Sequence, residues 1–138
     1  MMVKKALVVE DATDSALLLA RVLKMLGWEA QIAGDPFAAL AIVERETLSL
    51  IFMDIGLPDM DGYELVRRLR ALPRGREAIV VAISGFAPPA NRVAMRALGF
   101  DHYLTKPVSI AVLKGLLVDL ETAALAPYTA AGTPQLDL

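Results

Sequence analysis

LSLIFMDIGLPDMDG, residues 48–62, opens with a stretch, Leu48–Met53, that is apolar except at Ser49 and runs straight into Asp54. A continuous apolar run of this length suits a strand covered on both faces, as in a parallel sheet. A buried strand seldom ends in an acid without a purpose, because an unpaired carboxylate away from water is costly.

Moving outward, four more runs of the same kind appear. Lys5–Val9 (KALVV) and Ala78–Ile83 (AIVVAI) are strong, Trp28–Ala33 is weaker, and Asp101–Thr105 is short and mixed. Helical patterns lie between them. Thr13 or Asp14 can cap a first helix with Ser15, Leu18, Leu19, Val22 and Leu26 on one face, closed by Gly27. Pro36 opens a second helix to about Arg45, Gly62–Ala71 forms a third, and Pro88 and Pro89 open a fourth that Gly99 ends. Ser109 caps a fifth, running to about Ala124. Five alternations of strand and helix predict an α/β fold: a five-stranded parallel sheet with helices on both faces, joined by right-handed crossovers. In such sheets ligands bind outside the carboxyl ends of the strands.

Composition bounds the rest. The 138 residues suit one domain, drawn at 1–122, with 123–138 as a loosely ordered tail and no output domain. Mean hydropathy is high at +0.50, yet charged residues interrupt every apolar stretch well short of the ~18 residues of a membrane span. With no secretory signal pattern either, a cytoplasmic location is expected. Cysteine is absent, which excludes disulfides, thiolate metal sites and thiol nucleophiles. The net charge of −2 argues against direct nucleic-acid binding, and His102 is the only histidine.

The strand ends carry the chemistry. Glu10 and Asp11 follow the first strand, Asp54 the third, Ser84 and Gly85 the fourth, and Thr105, Lys106 and Pro107 the fifth. All would meet on one rim. Two unit charges ~4 Å apart at an effective dielectric of ~20 repel by about 4 kcal/mol, so the acids need a counter-charge or raised pKa values. An oxygen-only acidic site beside one amine suits Mg²⁺. A carboxylate there can act as a nucleophile towards phosphorus, with the metal, Lys106 and Ser84 neutralising and positioning the phosphoryl group.

VVED at 8–11, MDIGLPDMDG at 53–62, AISG at 82–85 and YLTKP at 103–107 resemble the receiver domains of bacterial response regulators, over about residues 3–120. The resemblance implies the flavodoxin-like strand order 2-1-3-4-5. It implies Asp54 as phospho-acceptor, served by a histidine kinase or histidine phosphotransfer protein. It also implies Mg²⁺ held by Glu10, Asp11, Asp54 and the backbone carbonyl of Gly56, with Lys106 and Ser84 on the phosphoryl group. Tyr103 takes the family's switch-aromatic position, and Lys106–Pro107 its cis peptide. Output would pass to a second copy or a downstream protein through the fourth helix, fifth strand and fifth helix. Such a domain catalyses its own phosphorylation and dephosphorylation without turning over a separate substrate. Glu10 stands where Asp is commoner and Ser84 where Thr is commoner; each keeps the needed oxygen.

Blander and rival readings stand beside this one. Glu10 and Asp11 could be loop polar residues, and Tyr103 a half-buried aromatic. Leu17, Leu23 and Met25 lie partly off the core face of the first helix, and the apolar excess favours a partner surface there. Residues 59–62 (DMDG) fail as a calcium loop, since Leu57 and Arg68 would hold its first and last ligand positions. An aspartyl-phosphate phosphatase wants a second Asp where Gly56 stands, and a flavodoxin-like phosphate cradle would be repelled by Glu10 and Asp11. A receiver segment of a hybrid histidine kinase or larger regulator fits the same motifs. Gly56 and Phe86, each two positions past a key residue, offer no group to orient water, which predicts a slowly hydrolysing phosphate.

Overall fold

The computed structural model describes residues 3–56, 60–86 and 91–125, with the backbone alone described at 92 and 123–125. The elements are β1 (Lys5–Val9), α1 (Thr13–Met25), β2 (Glu29–Ala33), α2 (Pro36–Arg45), β3 (Leu50–Asp54), α3 (Gly62–Ala71), β4 (Ile79–Ser84), α4 (Arg92–Ala97), β5 (His102–Thr105) and α5 (Ile110–Leu125). All four strand pairings are parallel, in the order β2-β1-β3-β4-β5. The expected order and fold class are therefore observed.

Period-two alternation sends each central strand's side chains to opposite faces. Leu7, Val9, Ile51, Met53, Val80 and Ala82 pack on one side with the apolar stripes of α2, α3 and α4. Ala6, Val8, Leu50, Phe52, Val81 and Ile83 pack on the other with α1 and α5. Every residue of β3 is buried, as its unbroken apolar run requires. Both β3 and β4 extend one residue past their predicted ends, so Asp54 and Ser84 are the last strand residues and their positions are fixed by ladder hydrogen bonds.

Several local readings need correction. Neither Thr13 nor Asp14 caps α1; the N-cap is Ala12, without a side-chain hydrogen bond. The core face of α1 is Ala16, Ala20, Val22 and Leu23, whereas Leu18 is 64% exposed. Ala16, Ala20 and Leu23 fall on one face of the helix at its 3.6-residue period, and burying that face turns Leu18 outward. Trp28 is buried but precedes β2. The caps at Asp35, Asp61 and Ser109 accept the N–H groups of Ala38, Glu64 and Val112. Asn91 caps α4, and the proposed opening of that helix at Pro88 and Pro89 lies outside the described residues. Helix α5 runs past the boundary drawn at 122; residues 126–138 also lie outside the described set.

One tight contact in the lower half of the fold is testable. A Cβ on Gly75, in the 3-10 turn Pro73–Gly75, would stand 2.0 Å from the carbonyl oxygen of Leu69 and 2.8 Å from its carbon. Backbone cannot yield as a flexible side chain can. Gly75→Ala should therefore destabilise the protein by about 1–3 kcal/mol, read as a lowered urea midpoint. An unchanged midpoint would show that the turn relaxes freely.

Candidate functional site

At the carboxyl ends of the strands, adjacent parallel strands deliver their last side chains to one rim. β1 lies between β2 and β3, and β3 between β1 and β4. Glu10 and Asp54 therefore arrive from neighbouring strands, Ser84 from the next, and Lys106 from just beyond β5. Glu10, Asp54 and Ser84 are buried, while Asp11 is exposed. One oxygen from each of Glu10, Asp11 and Asp54 lies within 4.8 Å of the other two. The edge strand β2 adds no acid to the cluster.

Lys106 supplies the counter-charge. Its Nζ is 3.0 Å from Asp54 Oδ2 and 3.8 Å from Glu10 Oε2. The other Asp54 oxygen accepts the Gly56 N–H at 3.0 Å. Burial, followed by the hydrogen bond to Asp54 and that group's negative charge, pushes the Glu10 carboxyl up to about 7. Burial also acts upward on Asp54, but hydrogen bonds from Glu10, the Gly56 N–H and Lys106 outweigh it and leave this carboxyl below its usual range. Burial acts downward on the Lys106 ammonium, and the Asp54 and Glu10 carboxylates more than reverse it. Of the two neighbouring carboxyls, Glu10 is thus the one that binds a proton more tightly and Asp54 the one that gives it up more readily.

A group with a raised acid pKa binds its proton more tightly folded than unfolded. Glu10 therefore costs nothing below its ordinary value of 4.5 and costs progressively more stability as pH rises from there to about 7. In metal-free protein the urea midpoint should fall over that window, and Glu10→Gln should flatten the fall. Binding of a divalent ion, which needs the carboxylate, should tighten over the same range. A midpoint that climbs from pH 4.5 to 7 equally in both proteins would contradict this assignment.

Ser84 and Tyr103 meet at one residue that the sequence did not single out for this role. The Phe86 N–H donates to Ser84 Oγ at 3.0 Å, and the Tyr103 hydroxyl donates to the Phe86 carbonyl at 3.3 Å. Both contacts use Phe86 backbone, which leaves no signature in side-chain identity; its ring is 80% exposed. The Lys106 N–H donates to the Ser84 carbonyl at 2.8 Å, and the Lys106–Pro107 bond is cis, as expected. Beside the rim lies a largely apolar cleft of about 460 Å³ between α1 and the segment joining β5 to α5. Leu18 lines it with Leu19, Val22, Val108 and Ile110, and Glu10 and Lys106 line its polar end.

An all-oxygen trio of acids beside one amine thus stands on the carboxyl-terminal rim of a doubly covered parallel sheet, the arrangement of an α/β protein with its site at the strand ends. The chain belongs to the response regulator receiver domain family, whose model matches residues 6–117. It is therefore a receiver domain of two-component signalling. It is 39% identical over 102 residues to an uncharacterised 14.6 kDa protein of Leptolyngbya boryana, covering 74% of this chain and 78% of that one. It is 34% identical over 111 residues to the sensor histidine kinase RcsC of Salmonella typhimurium, covering 80% of this chain but 12% of the kinase.

Among solved structures, a CheY-like receiver domain from Methylobacillus flagellatus aligns with TM-score 0.76 and 36% identity, over 85% of this chain and 98% of the other. The receiver domain of the Pseudomonas aeruginosa sensor histidine kinase PA1611 aligns with TM-score 0.73 and 30% identity, over 84% and 95%. That structure has a magnesium ion coordinated in its active-site cleft. In this chain the Glu10, Asp11 and Asp54 oxygens are of the type and spacing that could hold such an ion. Among the described residues no helix is long and apolar enough to cross a membrane.

Proposed function

We propose that the chain is a phosphorylation-dependent switch: Asp54 accepts a phosphoryl group, with Mg²⁺, from a histidine kinase or histidine phosphotransfer protein. The observation that carries this reading is the buried Asp54 carboxyl group, held 3.0 Å from the Lys106 ammonium within an acidic trio. Mg²⁺ would be held by Glu10, Asp11, Asp54 and the Gly56 carbonyl, and would neutralise charge on the incoming phosphoryl oxygens. The chain's own groups do the remainder. Asp54 supplies the attacking oxygen, and Lys106 pairs with the charge that transfer brings. The Ser84 hydroxyl, already a partner of the Phe86 N–H, is the donor that can turn towards the new phosphoryl oxygens.

That turn would loosen the Phe86 backbone on which the Tyr103 hydroxyl rests, so a local charge event reaches the face formed by α4, β5 and α5. Output to a second copy or a downstream protein is assigned to that face. The exposed Leu18 and Ile110 suit the phosphoryl donor, because they line the cleft whose polar end is formed by Glu10 and Lys106. The domain turns over no separate substrate in this reading.

Direct phosphoryl transfer from a small donor, followed by intact mass, tests the acceptor assignment. Lifetime is a second measurable property. Gly56 brings no side chain to the carboxylate, and a Cβ there would lie 3.7 Å from Asp54 Oδ1. With no side chain at Gly56 and the Phe86 ring 80% exposed, neither position offers a group to orient water, so the phosphoryl group should persist for many minutes at neutral pH with Mg²⁺. Loss within seconds in the isolated domain would refute this.

A further inference from the structure

Leu17 and Met25 of α1 are 50% and 78% exposed, and the switch uses neither. Arg21 stands between them, one turn from each, and Lys24 adjoins Met25. Helix α5 lies alongside on the same side of the sheet, since Leu19 and Val22 of α1 and Leu113 of α5 line one cleft. It adds Lys114 and Val118, both exposed and in line with Glu121, which pairs with Lys4 just before β1. Arg21, Lys24 and Lys114 enter no ion pair among the described residues. On the opposite layer of helices, by contrast, Arg45, Arg67, Arg68 and Arg70 are each paired with a carboxylate. Nearby acids are marginal: Asp14 sits in the first turn of α1, and Asp119, two residues before Glu121, points to the far flank of α5. In a chain of net charge −2, three unneutralised cations among exposed apolar side chains form a basic amphipathic face.

We propose that this face rests on an anionic lipid surface, with α1 and α5 lying along the plane of the headgroups. Leu17, Met25 and Val118 enter the boundary between headgroups and acyl chains, while Arg21, Lys24 and Lys114 meet the lipids' anionic groups. The long stems of arginine and lysine follow the apolar side chains down and leave their charged heads at the level of the phosphates. Charge complementarity selects acidic lipid over neutral lipid. The distribution of the groups selects lipid over an acidic protein. They are spread along two turns of α1 and across to α5 instead of converging on one hollow, and no ion pair fixes the cations. A folded partner gains most where anchors fill pockets, whereas a fluid surface needs no register.

Three cations and three apolar side chains give weak, reversible attachment that salt screens, not insertion. The attachment rests on none of the phosphoryl chemistry, and its failure would leave the Asp54 assignment untouched.

Co-sedimentation of the full chain with phosphatidylcholine vesicles, prepared with and without phosphatidylserine, reads the attachment directly. The wild type should bind the vesicles that contain phosphatidylserine, leave the neutral ones alone, and lose most of its binding between low and physiological ionic strength. Arg21→Glu should weaken binding about tenfold or more. Met25→Gln should weaken it as well, through the lost apolar contact. Arg76→Glu makes the same change in net charge at an exposed arginine just past the turn Pro73–Gly75, which packs with α2 and α3 on the opposite layer, and should alter binding little. Unaltered thermal melts and phosphoryl acceptance would confirm that the exposed substitutions leave the fold intact. The proposal falls if the chain ignores vesicles of both kinds, if it binds both alike, or if Arg76→Glu weakens binding as much as Arg21→Glu. The first result, with retention on a glutamate-rich peptide, would assign the face to an acidic protein instead.

Discussion

Asp54→Asn is expected to abolish phosphoryl acceptance completely. Incubated with acetyl phosphate and Mg²⁺, the wild type should gain the mass of one phosphoryl group and the variant none. The replacement is nearly isosteric, and its amide oxygen can still accept the Gly56 N–H that now reaches Asp54 Oδ1. What it loses is the anionic oxygen that attacks phosphorus, since a carboxamide is a poor nucleophile. The same change removes a negative charge beside Glu10, so the metal-free variant should be at least as stable as the wild type in a thermal melt. Full activity loss with an intact melt separates chemistry from folding. Phosphoryl transfer to the variant at Glu10 or Asp11 would move the acceptor and overturn the assignment.

Replacing Lys106 with Met should give the second large effect, and one of a different kind. Methionine keeps an unbranched side chain of similar reach, and the backbone N–H at 106 still bonds the Ser84 carbonyl. The ammonium group at 3.0 Å from Asp54 is lost. Removing a preorganised charge partner of a reacting group commonly costs about 10²–10³ in rate, and a comparable drop in phosphorylation by acetyl phosphate is expected. Mg²⁺ affinity should move the other way. The ammonium repels a divalent ion held by the same acids, so its removal leaves binding equal or tighter, measurable by titration calorimetry. Slower transfer with weakened Mg²⁺ binding would instead mean that Lys106 organises the metal site.

Much of the fold was legible because its determinants are local. Nearly continuous apolar runs at 5–9, 48–53 and 78–83 suit a sheet whose two faces are both covered by helices, and the alternation with capped helices leaves few topologies. What was missed depended on packing. Leu18 and Leu23 are the same residue, and the rotation of α1 that buries Ala16 and Ala20 beside Leu23 is what leaves Leu18 outside. The Arg70 guanidinium shows the same limit. It binds the carbonyls of Gly75, Arg76, Ala78 and Gly99 and the Asp101 carboxylate, tying the end of α3 to the starts of β4 and β5. Within a run of arginines at 67–76 nothing distinguishes it from its solvated neighbours.

The site divides along the same line. Residue order alone supplied its members, because the carboxyl end of a parallel strand is where function collects, and an acid, a hydroxyl and an amine stand at those ends. Their protonation could not be read that way. Which of two neighbouring carboxyls keeps a proton depends on burial and on where one ammonium and one backbone N–H point, and those are fixed only when β1, β3 and β5 are assembled. Through-space electrostatics at a few ångströms belongs to the folded arrangement, whereas hydrophobic periodicity belongs to the chain.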